Sequence, residues 1–228
     1  MPERDYYQQV RREVAILVPP QSERVLDVGC AEGILGRYLL EQGVKEVVGV
    51  ECVAPVAERA RANLSRVFCG DVATLDLPFE ARSFDCVIFA DVLEHLADPL
   101  SVLKKYAALL KDEGTIVASI PNVRHCQIIH MLTEGHWTYQ EFGIMDKTHL
   151  RFFTLKEIQA MFQAAGFVIR SLSANMDPAY ETAKASMDGK ALLDFSLGRL
   201  TLKGLTPDEM TEMFAIQFLI TAQKTTVQ

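Results

Sequence analysis

The chain has 228 residues, of which 49% are hydrophobic and 23% charged, so it is long enough to bury one substantial core. We therefore expect a single domain over 1–228. The net charge of −7 comes without a long basic run, whereas neutralising several phosphates requires a concentrated positive face. These properties argue against a nucleic-acid partner.

Residues 1–22 alternate charged and apolar side chains and break at Pro19 and Pro20, which predicts a helical N-terminal cap. The segment has neither the apolar core of a signal peptide nor the length of a membrane span, so we expect a cytoplasmic protein with no membrane partner. The five cysteines stand singly, without the paired spacing of a disulfide framework or a zinc site, which is typical of reduced thiols.

Continuous apolar, β-branched runs predict strands that are covered on both faces, as in a parallel sheet. The first five predicted strands are 24–28, 46–51, 66–70, 84–90 and 114–120. Helical patterns lie between them, near 33–42, 54–65 and 98–110. The last of these helices has Asp98 as its N-cap and Pro99 at its first helical position.

After Ile120 the pattern becomes irregular over 121–153, and Thr154 and Glu157 then have the spacing of a capping box. They predict a helix that ends at Gly166, followed by a strand over 167–174. A second irregular stretch, 177–213, precedes a closing strand over 214–224. The order predicts a doubly wound α/β sheet, in which ligands bind outside the carboxyl ends of the strands. Both insertions are therefore expected to roof the site as lids or acceptor walls.

The turn "GCAEGILG" after the first strand selects among nucleotide-like cofactors. It lacks the Lys-Ser/Thr of a Walker phosphate loop, which excludes the triphosphate interpretation. Its order Gly29, Ala31, Gly33, Gly36 fits a dinucleotide fingerprint poorly. In addition, Asp27 precedes the first glycine by two positions, where it can face an ammonium or an ordered water rather than a phosphate.

The segment "DVGCAEG" resembles the first motif of the class I S-adenosylmethionine (SAM)-dependent methyltransferases, with Ala31 in place of the middle glycine. An acid at the end of strand two, the pair Asp71 and Val72, and "FADVLEHL" after strand four match the family's ribose, adenine and methionine positions. The resemblance implies SAM as cofactor and a Rossmann-like sheet of seven strands, mostly parallel, with an antiparallel last strand. The residues that it assigns to the cofactor are Asp27, Gly29, Cys30, Ala31, Gly33, Glu51, Cys52, Asp71, Val72 and Ala90.

The first insertion and its ends, "PNVRH" and "DKTHLRFF", resemble bacterial methyltransferases found near sugar, polysaccharide and natural-product pathways, and "DVLEHL" is similar to the quinone-biosynthesis methyltransferases. These resemblances imply methyl transfer to oxygen or nitrogen of a small-molecule acceptor. His125 follows strand five and His149 closes the insertion, and both are candidate bases because imidazole titrates near neutral pH. The further candidate acceptor contacts are Asn122, Arg124, Tyr139 and Arg151. The alternatives are that His149 ties the insertion to the sheet and that Arg151 pairs with Asp146 or Glu141.

Several alternatives stay open at this point. A non-catalytic SAM-binding module is consistent with Ala31, and a nicotinamide oxidoreductase is consistent with Glu51. The 177–213 insertion could form a homodimer contact instead of a lid or an acceptor wall. No metal is expected, because the spacing of His125, His130 and His136 gives poor ligand geometry.

Overall fold

The computed structural model describes residues 10–185 and 187–225. Part of the predicted 1–22 cap, residues 1–9, lies outside the described residues. It includes Tyr6 and Tyr7, for which the sequence leaves open ordinary packing or closure over the methionine end of a cofactor. The helices are α1 (Arg12–Ala15), α2 (Ile34–Glu41), α3 (Ala54–Ala60), α4 (Pro99–Ala107), α5 (Cys126–Thr133), α6 (Leu155–Ala164), α7 (Tyr180–Ala185) and α8 (Pro207–Phe214). The strands are β1 (Arg24–Val28), β2 (Glu46–Glu51), β3 (Arg66–Cys69), β4 (Phe84–Ala90), β5 (Leu110–Pro121), β6 (Phe167–Met176), β7 (Leu193–Leu197), β8 (Leu200–Leu205) and β9 (Ala215–Lys224).

Seven strands form one sheet in the order β3-β2-β1-β4-β5-β9-β6. Strand β9 runs antiparallel to both of its neighbours, and the remaining pairs are parallel. The predicted doubly wound α/β fold with an antiparallel last strand is therefore confirmed. The carboxyl ends of β1, β2 and β4 lie side by side at one edge of the sheet, which brings together the loops that follow them.

The apolar strands are covered on both faces, as their continuous hydrophobicity predicts. On one face Leu26 and Phe89 belong to a core that includes Leu103 of α4 and Phe162 of α6. On the other face Val25 belongs to a core with side chains from α1, α2 and α3. The sheet is therefore the middle layer of three, and only its edges and strand ends are free to carry loops.

The two insertions contain more regular structure than the sequence indicates. The first holds α5, and the second folds as α7, a β7–β8 hairpin and α8. Cys126 of α5 packs with Met213 and Phe214 of α8 in a separate apolar cluster, so these elements are stabilised by contacts between distant segments. Helix α8 also carries a reciprocal capping box between Thr206 and Glu209.

Several predicted boundaries were wrong by a few residues. Helix α3 ends at Ala60, whereas the sequence predicts a helix to residue 65. Helix α4 ends at Ala107 and β5 already begins at Leu110, whereas the sequence predicts a helix to residue 110 and a strand from 114. Phe214 ends α8, so the closing strand begins one residue later than predicted. In the described part of the chain, no helix has the length and apolar character that a membrane span requires.

Candidate active site

The loop after β1 is held against the end of β2. The backbone N–H groups of Gly29 and Cys30 donate to the Val50 carbonyl over 2.8 and 3.0 Å. Gly29 has a φ of 73°, and a Cβ atom at this position would lie 2.6 Å from Cγ2 of Val92. Only glycine satisfies both constraints, which fixes the tight turn and leaves its backbone close to the strand ends.

The side chain of Cys30 points into the core, although the sequence assigns this residue to the cofactor. A Cβ atom on Gly49 would lie 2.5 Å from the Cys30 sulfur, so that glycine makes room for the thiol. Burial raises the pKa of Cys30 far above its ordinary value. Only the backbone of Cys30 can therefore serve a ligand. Cys52, by contrast, is exposed, and its sulfur lies 3.6 Å from Oε1 of Glu51.

Glu51 ends β2 and holds the backbone of the neighbouring loops. Its carboxylate is buried, with Oε2 accepting the Ala31 N–H over 3.0 Å and Oε1 accepting the Val53 N–H over 2.9 Å. Oε2 keeps a free lone pair, whereas the second lone pair of Oε1 accepts a weak hydrogen bond from the Cys52 thiol at 3.6 Å. Because a thiol is a weak donor, two hydroxyl groups can still bind this carboxylate if the thiol turns away from Oε1. Ala31 has a φ of 49°, a left-handed conformation that disfavours a residue with a side chain.

Asp27 lies below this turn and is 1% exposed. Its Oδ2 atom has no hydrogen-bond partner among the residues that the structure describes. Burial, followed by the charge of Glu51, raises the pKa of Asp27 to about 7. A cation beside Asp27 would supply the missing partner and stabilise the charged form.

The other residues assigned to the cofactor lie on the same edge of the sheet. Asp71 is exposed and its Oδ1 accepts the Ala73 N–H over 2.8 Å, which shapes the loop after β3. The Val72 side chain belongs to the core, and Ala90 ends β4 opposite Ser119. The structure therefore gathers the predicted cofactor residues at the ends of β1, β2, β3 and β4.

The turn after β4 contains residues that the sequence reasoning missed. Asp91 has a φ of 55° and accepts from Oγ of Ser119 over 3.2 Å. It also forms an ion pair with Arg11 and a hydrogen bond with Gln217. Burial lowers the pKa of Arg11, but Asp91 and Glu13 raise it overall. The sequence signal that could have identified Asp91 is an acidic residue directly after an apolar strand.

A second acid in this turn, Glu94, is 1% exposed, and burial raises its pKa well above the ordinary value. Its Oε1 lies 4.0 Å from Nε2 of His149, and the rings of His95 and His149 form an edge-to-face contact with centroids 4.7 Å apart and an interplanar angle of 75°. Burial and then His95 lower the pKa of His149, which favours a neutral ring. The sequence places His95 just beyond the predicted cofactor loop, where packing at a helix start and a ligand contact are both open, and it does not identify Glu94.

The His149 ring contacts a group of aromatic side chains. Its ring centroid lies 6.2 Å from that of Phe152, which in turn contacts Trp137 at 5.1 Å and Tyr139 at 6.3 Å. Trp137 and Tyr139 are 40% and 50% exposed, so they form an accessible apolar wall. The Arg151 guanidinium donates to the Ala97 carbonyl, rather than to the acids that the sequence suggested as its alternatives.

The remaining acceptor candidates lie on the other side of β5. His125 is 2% exposed, caps α5, and has its Nε2 3.5 Å from Oδ2 of Asp177. Burial lowers the pKa of His125, and Asp177 partly opposes this. Asn122 is fully buried, with its Nδ2 donating to two backbone carbonyls, and Arg124 pairs with Glu212 at 2.6 Å. These contacts give all three a structural task, because they join the segment between β5 and α5 to α8, to the start of β9 and to the residue that follows β6.

The glycine turn after β1 and the acid at the end of β2 define a Rossmann-like site for a nucleotide-like cofactor at the carboxyl edge of the sheet. The family model described as "Methyltransferase domain" matches residues 3–172. The chain therefore belongs to the methyltransferase-domain family.

Relatives with sequence similarity include proteins named ubiquinone biosynthesis O-methyltransferase. The one from Neisseria meningitidis serogroup C is 26% identical over 152 residues, which is 64% of this chain and 64% of the relative. The one from Paracidovorax citrulli is 33% identical over 112 residues, which is 46% of this chain and 47% of the relative. The chain thus aligns with less than two thirds of the length of each of these two relatives.

Solved structures show the same fold over almost the whole chain. A SAM-dependent methyltransferase from Thermotoga maritima has a TM-score of 0.64 at 20% identity, covering 96% of this chain and 89% of its own. A methyltransferase solved with the activator Trm112 from Haloferax volcanii has a TM-score of 0.64 at 20% identity. The match covers 99% of this chain and 92% of that methyltransferase. At these identities the likeness concerns the fold alone.

Proposed function

We propose that the protein transfers a methyl group from SAM to an oxygen or nitrogen atom of a small-molecule acceptor. The observation that carries the proposal is the carboxylate of Glu51. It is buried at the end of β2 and is oriented by the N–H groups of Ala31 and Val53. One free lone pair on Oε2, and one on Oε1 that is held only by the weak Cys52 thiol donor, can accept a pair of vicinal hydroxyls. A ribose presents such a pair.

The other residues of the loop fit the rest of the cofactor. Asp27 has a buried Oδ2 atom with no hydrogen-bond partner in the described ranges, 10–185 and 187–225, and an ammonium group such as that of the methionine portion would provide one. Gly29 lets the backbone approach the ligand without a side chain in between. When bound, SAM supplies a methyl group on a positively charged sulfur, which is transferred by in-line displacement.

The aromatic wall of Trp137, Tyr139 and Phe152 supports an acceptor with an apolar or aromatic body. It adjoins His149, which contacts the turn after β4, and β4 pairs directly with β1. His125 instead contacts Asp177 beyond β5, farther along the sheet order. His149 is therefore better placed than His125 to meet the acceptor. The names of the ubiquinone-biosynthesis relatives favour oxygen as the methylated atom.

Calorimetric titration with S-adenosylhomocysteine (SAH), and with NADH as the matched control, tests the cofactor. We expect SAH to bind with micromolar affinity and NADH not to bind. Binding of NADH alone would overturn the proposal in favour of an oxidoreductase.

An acceptor screen with phenols, sugars and amines then tests turnover by the release of SAH from SAM. Turnover with at least one phenol supports the proposal. SAH binding without turnover across the screen would favour a non-catalytic SAM-binding module.

A further inference from the structure

The turn after β4 and the end of the first insertion bring together one carboxylate and two imidazoles. One ligand atom from each of Glu94, His95 and His149 lies within 4.8 Å of the others. Oε1 of Glu94 is 4.0 Å from Nε2 of His149. Two atoms that bind one ion at about 2.1 Å lie at most about 4.2 Å apart. Small side-chain movements would therefore bring these three ligand atoms within binding distance of one metal ion.

Glu94 is the member of this set that most requires a partner. It is 1% exposed, and neither of its carboxylate oxygens has a hydrogen-bond partner within 10–185 and 187–225. A buried carboxylate without partners is costly, and protein structures usually pair it with a cation. No described side chain is within hydrogen-bond distance of the Glu94 carboxylate, since His149 lies 4.0 Å away. The charge of Arg11 also acts on Glu94, but Arg11 forms its ion pairs with Glu13 and Asp91.

Both histidines are oriented as metal ligands are. Nδ1 of His149 lies 3.0 Å from the Ile144 carbonyl, and Nδ1 of His95 lies 3.3 Å from the Thr148 carbonyl. A carbonyl oxygen only accepts, and the Thr148 hydroxyl, 3.1 Å from the same His95 nitrogen, already donates to Oδ1 of Asp146. This arrangement assigns the proton to Nδ1 of each ring and leaves the lone pair of each Nε2 free. A backbone carbonyl on the far nitrogen is the usual outer partner of a metal-bound imidazole.

We propose that Glu94, His95 and His149 bind a divalent first-row transition ion, and that an oxygen of the methyl acceptor occupies an open position on this ion. Two imidazoles and one carboxylate suit Zn²⁺ or its neighbours better than Mg²⁺ or Ca²⁺, which prefer oxygen ligands. Three protein ligands with an open position are the usual arrangement of a catalytic zinc site. The second part of this inference rests on the proposed methyl transfer.

The site adjoins the aromatic wall defined above, since the His149 ring lies 6.2 Å from that of Phe152. An aromatic acceptor held there would direct a hydroxyl toward the ion. Coordination lowers the pKa of such a hydroxyl, so its proton passes to solvent. The oxygen lone pair then forms the bond to the methyl carbon, and the electron pair of the broken carbon–sulfur bond stays on sulfur. His149 acts in this scheme as a ligand and not as a base.

Zinc stoichiometry tests the ion site directly. The purified full chain is stripped with a chelator, equilibrated with Zn²⁺ in the presence of excess Mg²⁺, desalted and analysed for metal. We expect one Zn²⁺ per chain in the wild type and in His136→Ala, which removes an exposed histidine of the same insertion. Glu94→Gln and His149→Ala should bind at least about 100-fold more weakly, beyond the effect of losing an outer partner.

Thermal unfolding of each variant establishes that it is folded, and His95→Ala replaces either variant that is not. Loss of Zn²⁺ from the ligand variants alone supports the site. A wild type without stoichiometric Zn²⁺, or equal Zn²⁺ in all variants, would overturn it, and Glu94 would then be a buried protonated acid.

The acceptor role has a separate spectroscopic test. Co²⁺ bound in place of Zn²⁺ gives visible absorption bands, and catechol is added as the probe. A change in these bands for the wild type supports coordination of the acceptor oxygen, and unchanged bands contradict it. SAH titration of the same preparation distinguishes the two proposals, because a protein that binds Zn²⁺ but not SAH would refute methyl transfer while retaining the ion site.

Discussion

The end of β2 and the turn after β4 each carry a buried glutamate, yet the two glutamates have different hydrogen-bond partners. The oxygens of Glu51 accept N–H groups from Ala31 and Val53, so the protein itself supplies its first partners. The oxygens of Glu94 have no such partners in the described chain, and two imidazoles lie beside them. The comparison teaches that equal burial does not mean equal function. Glu51 is suited to neutral hydroxyls, and Glu94 to a cation.

The largest effect is expected at Asp27, the other unsatisfied acid on this edge. Its raised pKa means that ionised Asp27 destabilises the free protein, with a penalty that is absent below pH 3.8 and complete above about pH 7. Asp27→Asn should therefore stabilise the free protein by about 4 kcal/mol at pH 8 and by about 2 kcal/mol at pH 5. Urea unfolding at both pH values measures the difference.

The exposed acid Asp71 on the same edge provides the control, and Asp71→Asn should change stability little at either pH. An equal gain for Asp27→Asn at pH 5 and pH 8 would contradict the assignment of the raised pKa. The same variant should lose SAH affinity, because it removes the charge that would face the ammonium group.

The next effect concerns the cofactor. Glu51→Ala should weaken SAH binding by about 1.5–3 kcal/mol, which corresponds to about 10–150-fold, because two charge-assisted hydrogen bonds are lost. Glu94→Gln is the matched variant from the other region and should change SAH affinity little. Calorimetry on both proteins makes the comparison, and equal losses would mean that the two glutamates do not serve different ligands.

The free energy of unfolding, measured in the presence of a chelator, distinguishes the roles of Glu51 and Glu94 more clearly. Glu94→Met should stabilise the metal-free protein by about 1–3 kcal/mol, because it replaces a buried acid without partners by an apolar side chain of similar size. Glu51→Met should destabilise it by about 2 kcal/mol, because it leaves two backbone N–H groups unsatisfied. Urea unfolding in EDTA tests this, and shifts of the same sign would refute the distinction.

The smallest effect is expected at Ala31, whose N–H is bound by Glu51. Its φ of 49° is unfavourable for alanine but not for glycine, so glycine relieves strain in the folded protein. The greater conformational freedom of glycine in the unfolded chain partly offsets this gain in stability. Ala31→Gly should therefore raise stability by up to about 1 kcal/mol and should not weaken SAH binding. Lower SAH affinity would mean that the methyl group contacts the cofactor favourably.

The sequence predicts the central sheet well because its strands are apolar on both faces, and continuous runs such as 84–90 leave little ambiguity. The elements of the insertions are different. Strand β7 buries Leu193 but exposes much of the rest, and α5 depends on contacts with Phe214 from a distant helix. Local patterns do not report such packing, so the sequence indicated irregular structure there.

The residues of the candidate site also differ in how well the sequence predicts them. Asp27 and Glu51 lie within short motifs at the ends of predicted strands, and both are found at the sheet edge as expected. Glu94 and His149 are brought together by contacts between two distant segments, among them the hydrogen bonds from the Leu150 and Arg151 N–H groups to the Glu94 carbonyl at 2.8 and 3.0 Å. No spacing in the sequence predicts these contacts.

The position of β9 between β5 and β6 also has a consequence for biosynthesis. Strand β6 pairs with β9 alone among the described strands, although the ribosome makes β6 and the whole second insertion first. Until β9 emerges, the edge of β5 is unpaired and β6 has no neighbour in the sheet. An open apolar edge of this kind promotes association between nascent chains. Slow translation of 177–213 would prolong that exposure, so chaperone binding during synthesis should concentrate in this interval.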